Sequence, residues 1–223
     1  MIKLVVFDLD GTLVDSVYDL ADSVNYVLTK NGYKTHSTDK YYKFVGSGTL
    51  KLIERALKGE TDDDKVILRL HDEFLAYYSE HCLDKTKSYE GISQLLGKLR
   101  EMNVGISVAS NKTDVFTKEI VSKQFKGIDF VKVSGKTDNV PQKPDPKIVF
   151  DIMDYANVNP CETLYVGDSD VDVLTGHNAG LLVCGCEWGF RGREELLNAG
   201  SDFLVKNPSE IIEIINTLNK GEI

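Results

Sequence analysis

Asp8 and Asp10 stand two residues apart in Asp8-Leu9-Asp10-Gly11-Thr12-Leu13-Val14, directly after the apolar run Ile2-Lys3-Leu4-Val5-Val6-Phe7. Side chains at i and i+2 point the same way while the backbone stays extended. One carboxylate of such a pair can attack phosphorus while the other handles the proton of the leaving group. A carboxylate is a weak nucleophile, but it is ionised at neutral pH and needs no activating base. Gly11 permits a sharp turn with close backbone approach. The plainer reading is a strand-to-loop turn rich in Asp and Gly, since short motifs recur by chance.

Three further groups follow in chain order. Ser110-Asn111-Lys112 comes right after the apolar run 104–109, with a helix predicted to open near Thr113. The amides of that helix start and the Ser110 hydroxyl could hold phosphate oxygens; an ordinary cap by Ser110 or Asn111 is the alternative. In Lys143-Pro144-Asp145-Pro146 two prolines fix the backbone and leave one lysine at the mouth of a helix. That lysine could neutralise both a nucleophile and a transferring phosphoryl group, or sit solvated in a proline loop. Gly167-Asp168-Ser169-Asp170-Val171-Asp172 gathers carboxylates after the run 163–166. Magnesium prefers oxygen ligands of this kind and keeps waters; helix capping and dipole compensation would use the same acids. Asp170 is expected to face solvent or cap the next helix. Singly each group is weak, but together and in this order they supply nucleophile, phosphate hydroxyl, lysine and metal carboxylates.

The elements that must position these groups alternate between short strand-like runs and 3.6-residue apolar periods, which points to a parallel sheet covered by helices. Strands are predicted at 2–7, 104–109, 130–133, 163–166 and 181–184, with 203–205 as an edge. Ile92, Leu95, Leu96 and Leu99 share one helix face; Ile148, Val149 and Ile152 share another after Pro146, which suits a first helical position. Asn207 and Glu210 resemble a capping pair opening a last helix with Ile211, Ile214, Ile215 and Leu218. Ligands of open α/β sheets bind at the carboxyl ends of the strands, where all four groups fall. From 17 to 81 the alternation stops, and three apolar helical stripes follow with no strand. The fold class expected is therefore a Rossmann-like α/β parallel sheet with helices on both faces, carrying an inserted all-helical cap. Its core comprises residues 1–14 and 84–223, and its cap residues 15–83. The charged run 60–65 reads as a solvated turn.

The chain has 223 residues, which suits one large domain or a core with a modest insertion. Its net charge of −9 repels nucleic-acid phosphates and anionic membranes, so neither is an expected partner. No apolar run approaches the roughly 20 residues of a helical span. Cys82, Cys161, Cys184 and Cys186 show no CxxC pair and no zinc spacing; Cys184 and Cys186 read as strand hydrophobes. With no signal-peptide design at the N-terminus, a reducing cytoplasm is the expected compartment.

On Asp8-Leu9-Asp10-Gly11-Thr12, Ser110, Lys143 and Gly167-Asp168-Ser169-x-x-Asp172 the chain resembles the haloacid-dehalogenase superfamily, over essentially its whole length. Val45-Gly46-Ser47-Gly48, Arg55-Ala56-Leu57, Ser110-Asn111-Lys112 and Gln142-Lys143-Pro144-Asp145-Pro146 are similar to the phosphoglycolate phosphatases and their relatives, with a type-one cap. The resemblance implies that Asp8 forms an aspartyl-phosphate and that Asp10 protonates the leaving oxygen, then deprotonates water. It implies Mg2+ held by the Asp8 carboxylate, the Asp10 backbone carbonyl and Asp168, with Asp172 supporting the site through water or Lys143 and Thr12 beside it. Ser110, the Asn111 amide and Lys143 would bind the phosphoryl oxygens. Dehalogenases lack an acid at the position of Asp10, so its presence speaks for a phosphate ester. In the cap, Gly46, Ser47 and Gly48 are either a loop closing over substrate or a plain turn before a helix at Thr49. Asp15-Ser16 is expected to combine a hinge with capping of the first cap helix.

The function expected is a magnesium-dependent, phosphoglycolate-phosphatase-like hydrolase of small phosphorylated metabolites, acting as a monomer or homodimer. The alternatives are a sugar-phosphate mutase of the β-phosphoglucomutase type, or a pyrophosphatase or nucleotidase of the same superfamily. A non-catalytic member would be expected to have lost Asp8, Asp10 or Asp168, and all three are present.

Overall fold

The computed structural model describes residues 1–221. Six parallel strands form the main sheet in the order β5-β4-β1-β6-β7-β8. They are β1 (Leu4–Phe7), β4 (Gly105–Thr113), β5 (Lys132–Lys136), β6 (Thr163–Gly167), β7 (Leu182–Cys186) and β8 (Phe203–Val205). β1 lies between β4 and β6, with Phe7 level with Val108 on one side and Val166 on the other. Chain order therefore reverses direction at β1, and the crevice beyond the carboxyl ends of β1, β4 and β6 is where such a sheet binds ligands.

Alternation along the strands sends side chains to two faces. Val5, Phe7, Ile106, Val108, Leu164, Val166, Cys184 and Cys186 pack under α5 (Ile92–Glu101), α6 (Asp114–Gln124) and α10 (Glu210–Lys220). Leu4, Val6, Tyr165 and Val183 pack on the other face under α7 (Lys147–Ala156), α8 (Asp170–Asn178) and α9 (Arg193–Ala199). Both Cys184 and Cys186 are free and buried, as their strand pattern predicts; Cys82 is buried and Cys161 exposed.

Between β1 and α5 the chain builds α1 (Val17–Lys30), α2 (Thr38–Phe44), α3 (Gly48–Ala56) and α4 (Asp64–His81), around an apolar cluster of their own. The three predicted stripes correspond to α1, α3 and α4. The short α2 buries only Tyr41, too little apolar periodicity to stand out in the sequence. The chain enters and leaves this insert through a two-strand antiparallel pair that the sequence pattern does not reveal, β2 (Val14–Asp15) and β3 (Lys87–Ser88). The buried Asp19 carboxylate ties the pair down, accepting from the Lys85 and Thr86 amides and the Thr86 hydroxyl at 2.7–3.0 Å. Most of the charged run 60–65 is exposed as expected, and Asp63 within it caps α4 by accepting from the Lys65 amide.

Several local expectations need correction. The third predicted strand lies two or three residues later, at Lys132–Lys136, because β5 sits at the sheet edge where polar residues are tolerated. The helix predicted to open near Thr113 does so, α6 starting at Asp114 with Thr113 in its N-cap position, but Ser110 and Asn111 do not cap it. With Lys112 they extend β4, whose register against β5 shifts between Ala109 and Thr113. Pro146 precedes α7 as its N-cap rather than opening it. Ser16 occupies the N-cap position of α1 without capping it; its hydroxyl is engaged elsewhere.

Candidate active site

Asp8 follows the last residue of β1, and its backbone N–H still bonds the Val166 carbonyl, 2.9 Å away, so the strand direction carries into the motif. Lys143 reaches Asp8 from the loop before α7. Its ammonium donates to Asp8 Oδ1 at 2.7 Å, Asp172 Oδ1 at 2.7 Å, the Ala109 carbonyl at 3.0 Å and the Tyr165 hydroxyl at 3.1 Å. Asp8, Lys143, Asp168 and Asp172 are all buried. Carboxylate oxygens of Asp8, Asp168 and Asp172 lie within 4.8 Å of one another, the acidic group among the described residues that could hold a metal ion.

Three buried carboxylates clustered near one ammonium leave excess negative charge. Burial and the Asp172 charge push the Asp8 carboxyl up to about 7, against the pull of Lys143. Burial, with the charges of Asp172 and Asp8, also holds Asp168 well above the usual carboxylate range. Burial pulls the Lys143 pKa down, yet the charges of Asp172 and Asp8 hold it well above the normal lysine value. Such a pocket favours a hard cation that takes oxygen ligands.

Asp172 settles the choice between capping and site chemistry by doing both. Its Oδ2 accepts from the Ser169 amide and hydroxyl in a capping box at the start of α8, leaving Oδ1 for Lys143 and Tyr165. Asp170 is exposed. Asp168 Oδ2 accepts from the Phe190 amide at 2.6 Å, and the Thr12 hydroxyl lies 3.5 Å from Oδ1. A Cβ on Gly11, which has φ +92°, would collide with the Asp168 carboxylate, so the turn at this position needs glycine for space as well as for conformation.

Asp10 lies outside the three-carboxylate cluster but lines one cavity with it. Both its oxygens lie 3.1 Å from the Lys112 ammonium, and Oδ1 accepts from the Ser16 hydroxyl at 2.5 Å. Burial works against the Lys112 charge, but Asp10 raises its pKa above that of an ordinary lysine. Ser110 and Asn111 are buried beside Lys143. Asn111 Oδ1 accepts from the Lys143 amide at 2.8 Å, so its side chain fixes the lysine loop. Gly46 and Gly48, at φ +112° and +79°, line the same cavity from the insert. Ser47 does not: its hydroxyl accepts from Arg55 at 2.9 Å, and it is absent from the cavity wall.

Four participants escaped the sequence reading. Lys112 was visible within Ser110-Asn111-Lys112 but carried no role there. Tyr165 reads as a strand hydrophobe, and only its register under Lys143 gives its hydroxyl a partner. Phe190 acts through its backbone and Arg191 through a fold-dependent contact, for which sequence offers no signal.

A parallel sheet with its charged residues at the switch point, roofed by a helical insert, defines an α/β enzyme of the capped-hydrolase type. The family model for haloacid dehalogenase-like hydrolases matches residues 5–186, and the chain belongs to that family. It is 33% identical to a phosphoglycolate phosphatase of Psychrobacter arcticus, over 97% of this chain and 94% of that one. A phosphoglycolate phosphatase of Pseudomonas syringae pv. tomato is 34% identical, over 98% of this chain and 79% of its own length. Among solved structures, a protein of Haemophilus somnus described as a predicted phosphoglycolate phosphatase superposes with a TM-score of 0.87 at 26% identity, covering 96% of this chain and 98% of its own. A predicted phosphatase of Clostridium acetobutylicum superposes at 0.84 and 28% identity, with the same coverage. The chain is an enzyme of this hydrolase family, and its similarity to phosphatases runs along nearly its full length.

Proposed function

We propose that the protein hydrolyses small phosphate monoesters, in the manner of the phosphoglycolate phosphatases it resembles, with Asp8 as nucleophile. The observation that carries this reading is the clustering of the Asp8, Asp168 and Asp172 carboxylates, with Lys143 bound to Asp8 and Asp172 and a second carboxylate–lysine pair, Asp10 and Lys112, lining the same cavity. Asp8 would attack phosphorus while Lys143 and Ser110 hold phosphoryl oxygens. The P–O bond to the alcohol breaks as the bond to Asp8 forms, and Asp10 gives the leaving oxygen its proton. Asp10 then takes a proton from the water that cleaves the acyl phosphate, which regenerates Asp8.

The buried carboxylates, in excess over the nearby ammonium, fit a divalent cation such as Mg2+. Asp8 and Asp168 would hold it with the Asp10 carbonyl, and Asp172 would act through Lys143. When bound, the ion offsets negative charge on the phosphoryl group. Residues 15–83 would serve as the cap that excludes water, with Gly46 and Gly48 presented to the substrate; the substrate class is a small phosphorylated metabolite.

Asp8→Asn is nearly isosteric. It is expected to retain the fold by circular dichroism and to lose more than about a thousandfold in kcat toward phosphoglycolate and p-nitrophenyl phosphate. Retained Mg2+-dependent turnover would remove Asp8 from the nucleophile role. Isomerisation of a hexose phosphate in place of phosphate release would instead favour a mutase.

A further inference from the structure

The loop after β7 reaches upward to the insert. Arg191 donates to the Tyr42 carbonyl and, at 2.6 Å, to the Val45 carbonyl, while its Nε pairs with Glu195 at 3.3 Å. The Phe190 ring meets the Tyr42 ring edge-on, with centroids 5.5 Å apart. Asn111 adds a third tie, donating to the Gly46 carbonyl at 3.2 Å. All three core residues grip one segment of the insert, the end of α2 and the glycine loop behind it.

A second arginine holds that segment from the other side. Arg55, on α3, donates to the Phe44 carbonyl at 2.6 Å and to the Ser47 hydroxyl at 2.9 Å. The last carbonyls of a helix lack intrahelical donors and carry partial negative charge, so cations there are favourable. The division of labour follows from where each arginine is rooted. Arg55 shapes the loop within the insert, whatever the insert does. Arg191 can cap α2 only while the insert sits on the sheet, and the preceding residue, Phe190, donates its amide to Asp168.

We propose that Arg191 is a positioning residue that seats residues 42–48 over the phosphate site, and so sets how strongly the enzyme prefers small phosphate esters to bulky ones. The selectivity half rests on the phosphatase reading above; the seating half does not. A planar guanidinium can bridge two carbonyls, whereas a lysine ammonium on its flexible stem is a poor substitute.

The test compares the wild-type protein with Arg191→Ala and Arg191→Lys by amide hydrogen exchange, and by kcat and KM for phosphoglycolate and for the bulkier p-nitrophenyl phosphate with Mg2+. Arg191→Ala is expected to speed exchange in 42–48 by roughly tenfold or more, the equivalent of losing one charged hydrogen bond, with β1 and β6 amides unchanged. KM for the small ester should rise by a similar factor, the loss for the bulky ester being at least about threefold smaller, with Arg191→Lys intermediate. Unchanged exchange in 42–48 for both variants overturns the proposal. Faster exchange with an equal loss for both esters overturns its selectivity half. If the wild-type protein cleaves neither ester, the phosphatase reading fails, and the exchange data still decide whether Arg191 seats the loop.

Discussion

Lys143 is the residue on which the charge balance of the site turns. Its ammonium is the direct partner of both Asp8 and Asp172, and it is buried with them. Removing one member of a buried ion cluster leaves uncompensated charge, typically a loss of about 3–5 kcal/mol. Lys143→Met is therefore expected to lower the urea-unfolding free energy by that order and to reduce kcat by roughly a hundredfold or more. A variant as stable as the parent would show that Lys143 is not the counter-charge. The raised pKa of Asp8 makes a second prediction. A carboxyl whose folded pKa, here about 7, exceeds its unfolded value of 3.8 contributes fully below the unfolded value, and the contribution is lost as pH rises from there through the folded pKa. The metal-free protein should thus lose stability from this group between about pH 4 and about pH 7. A cation that replaces the proton as counter-charge should raise Tm more at the upper pH than at the lower. An equal Mg2+-induced shift in Tm at both would detach the ion from the Asp8 cluster.

At the scale of elements, two short segments govern how the insert meets the sheet. The β2–β3 pair is only two residues long on each side, so its stability depends on what anchors it. Asp19 does so from the first turn of α1, with both its oxygens spent on the linker backbone and Thr86. Asp19→Ala orphans the buried Thr86 amide and hydroxyl and is expected to destabilise the protein by about 2–3 kcal/mol in denaturant unfolding. Limited proteolysis should then cut first near 84–88, and a cleavage pattern identical to the parent's would show that the linker is anchored elsewhere. The extension of β4 through Ser110–Lys112 is the second such device. It carries Asn111 and Lys112 past the sheet edge, where one fixes the Lys143 loop and the other meets Asp10.

The whole molecule carries a net charge of −9, yet on the proposed function its site would have to admit a phosphate dianion. Lys112 and Lys143 are already neutralised by carboxylates, so they project little field into solvent. Long-range steering should therefore oppose substrate entry and be relieved by screening. For a phosphomonoester, kcat/KM is expected to rise as salt increases from about 10 to about 150 mM at fixed Mg2+, with kcat unchanged. A falling kcat/KM would mean that the local cations dominate. Among the described residues no helix is long and apolar enough to cross a membrane.

The sequence alone determined the six strands of the main sheet, the buried faces of α1, α3, α4, α5, α7 and α10, and the four charged groups at the strand ends. Those properties follow from local periodicity and from residue types whose chemistry is the same wherever they sit, as Val5 and Phe7 on one face and Asp8 at the strand end illustrate. Tertiary structure decided which charges meet. Lys112 beside Asp10, the Tyr165 hydroxyl beneath Lys143, Ser47 turned toward Arg55 and Arg191 on the end of α2 all depend on register and on packing between segments far apart in the chain. Hydrogen bonds act over about 3 Å, and no pattern in one stretch of chain encodes where a distant one will arrive to within that distance.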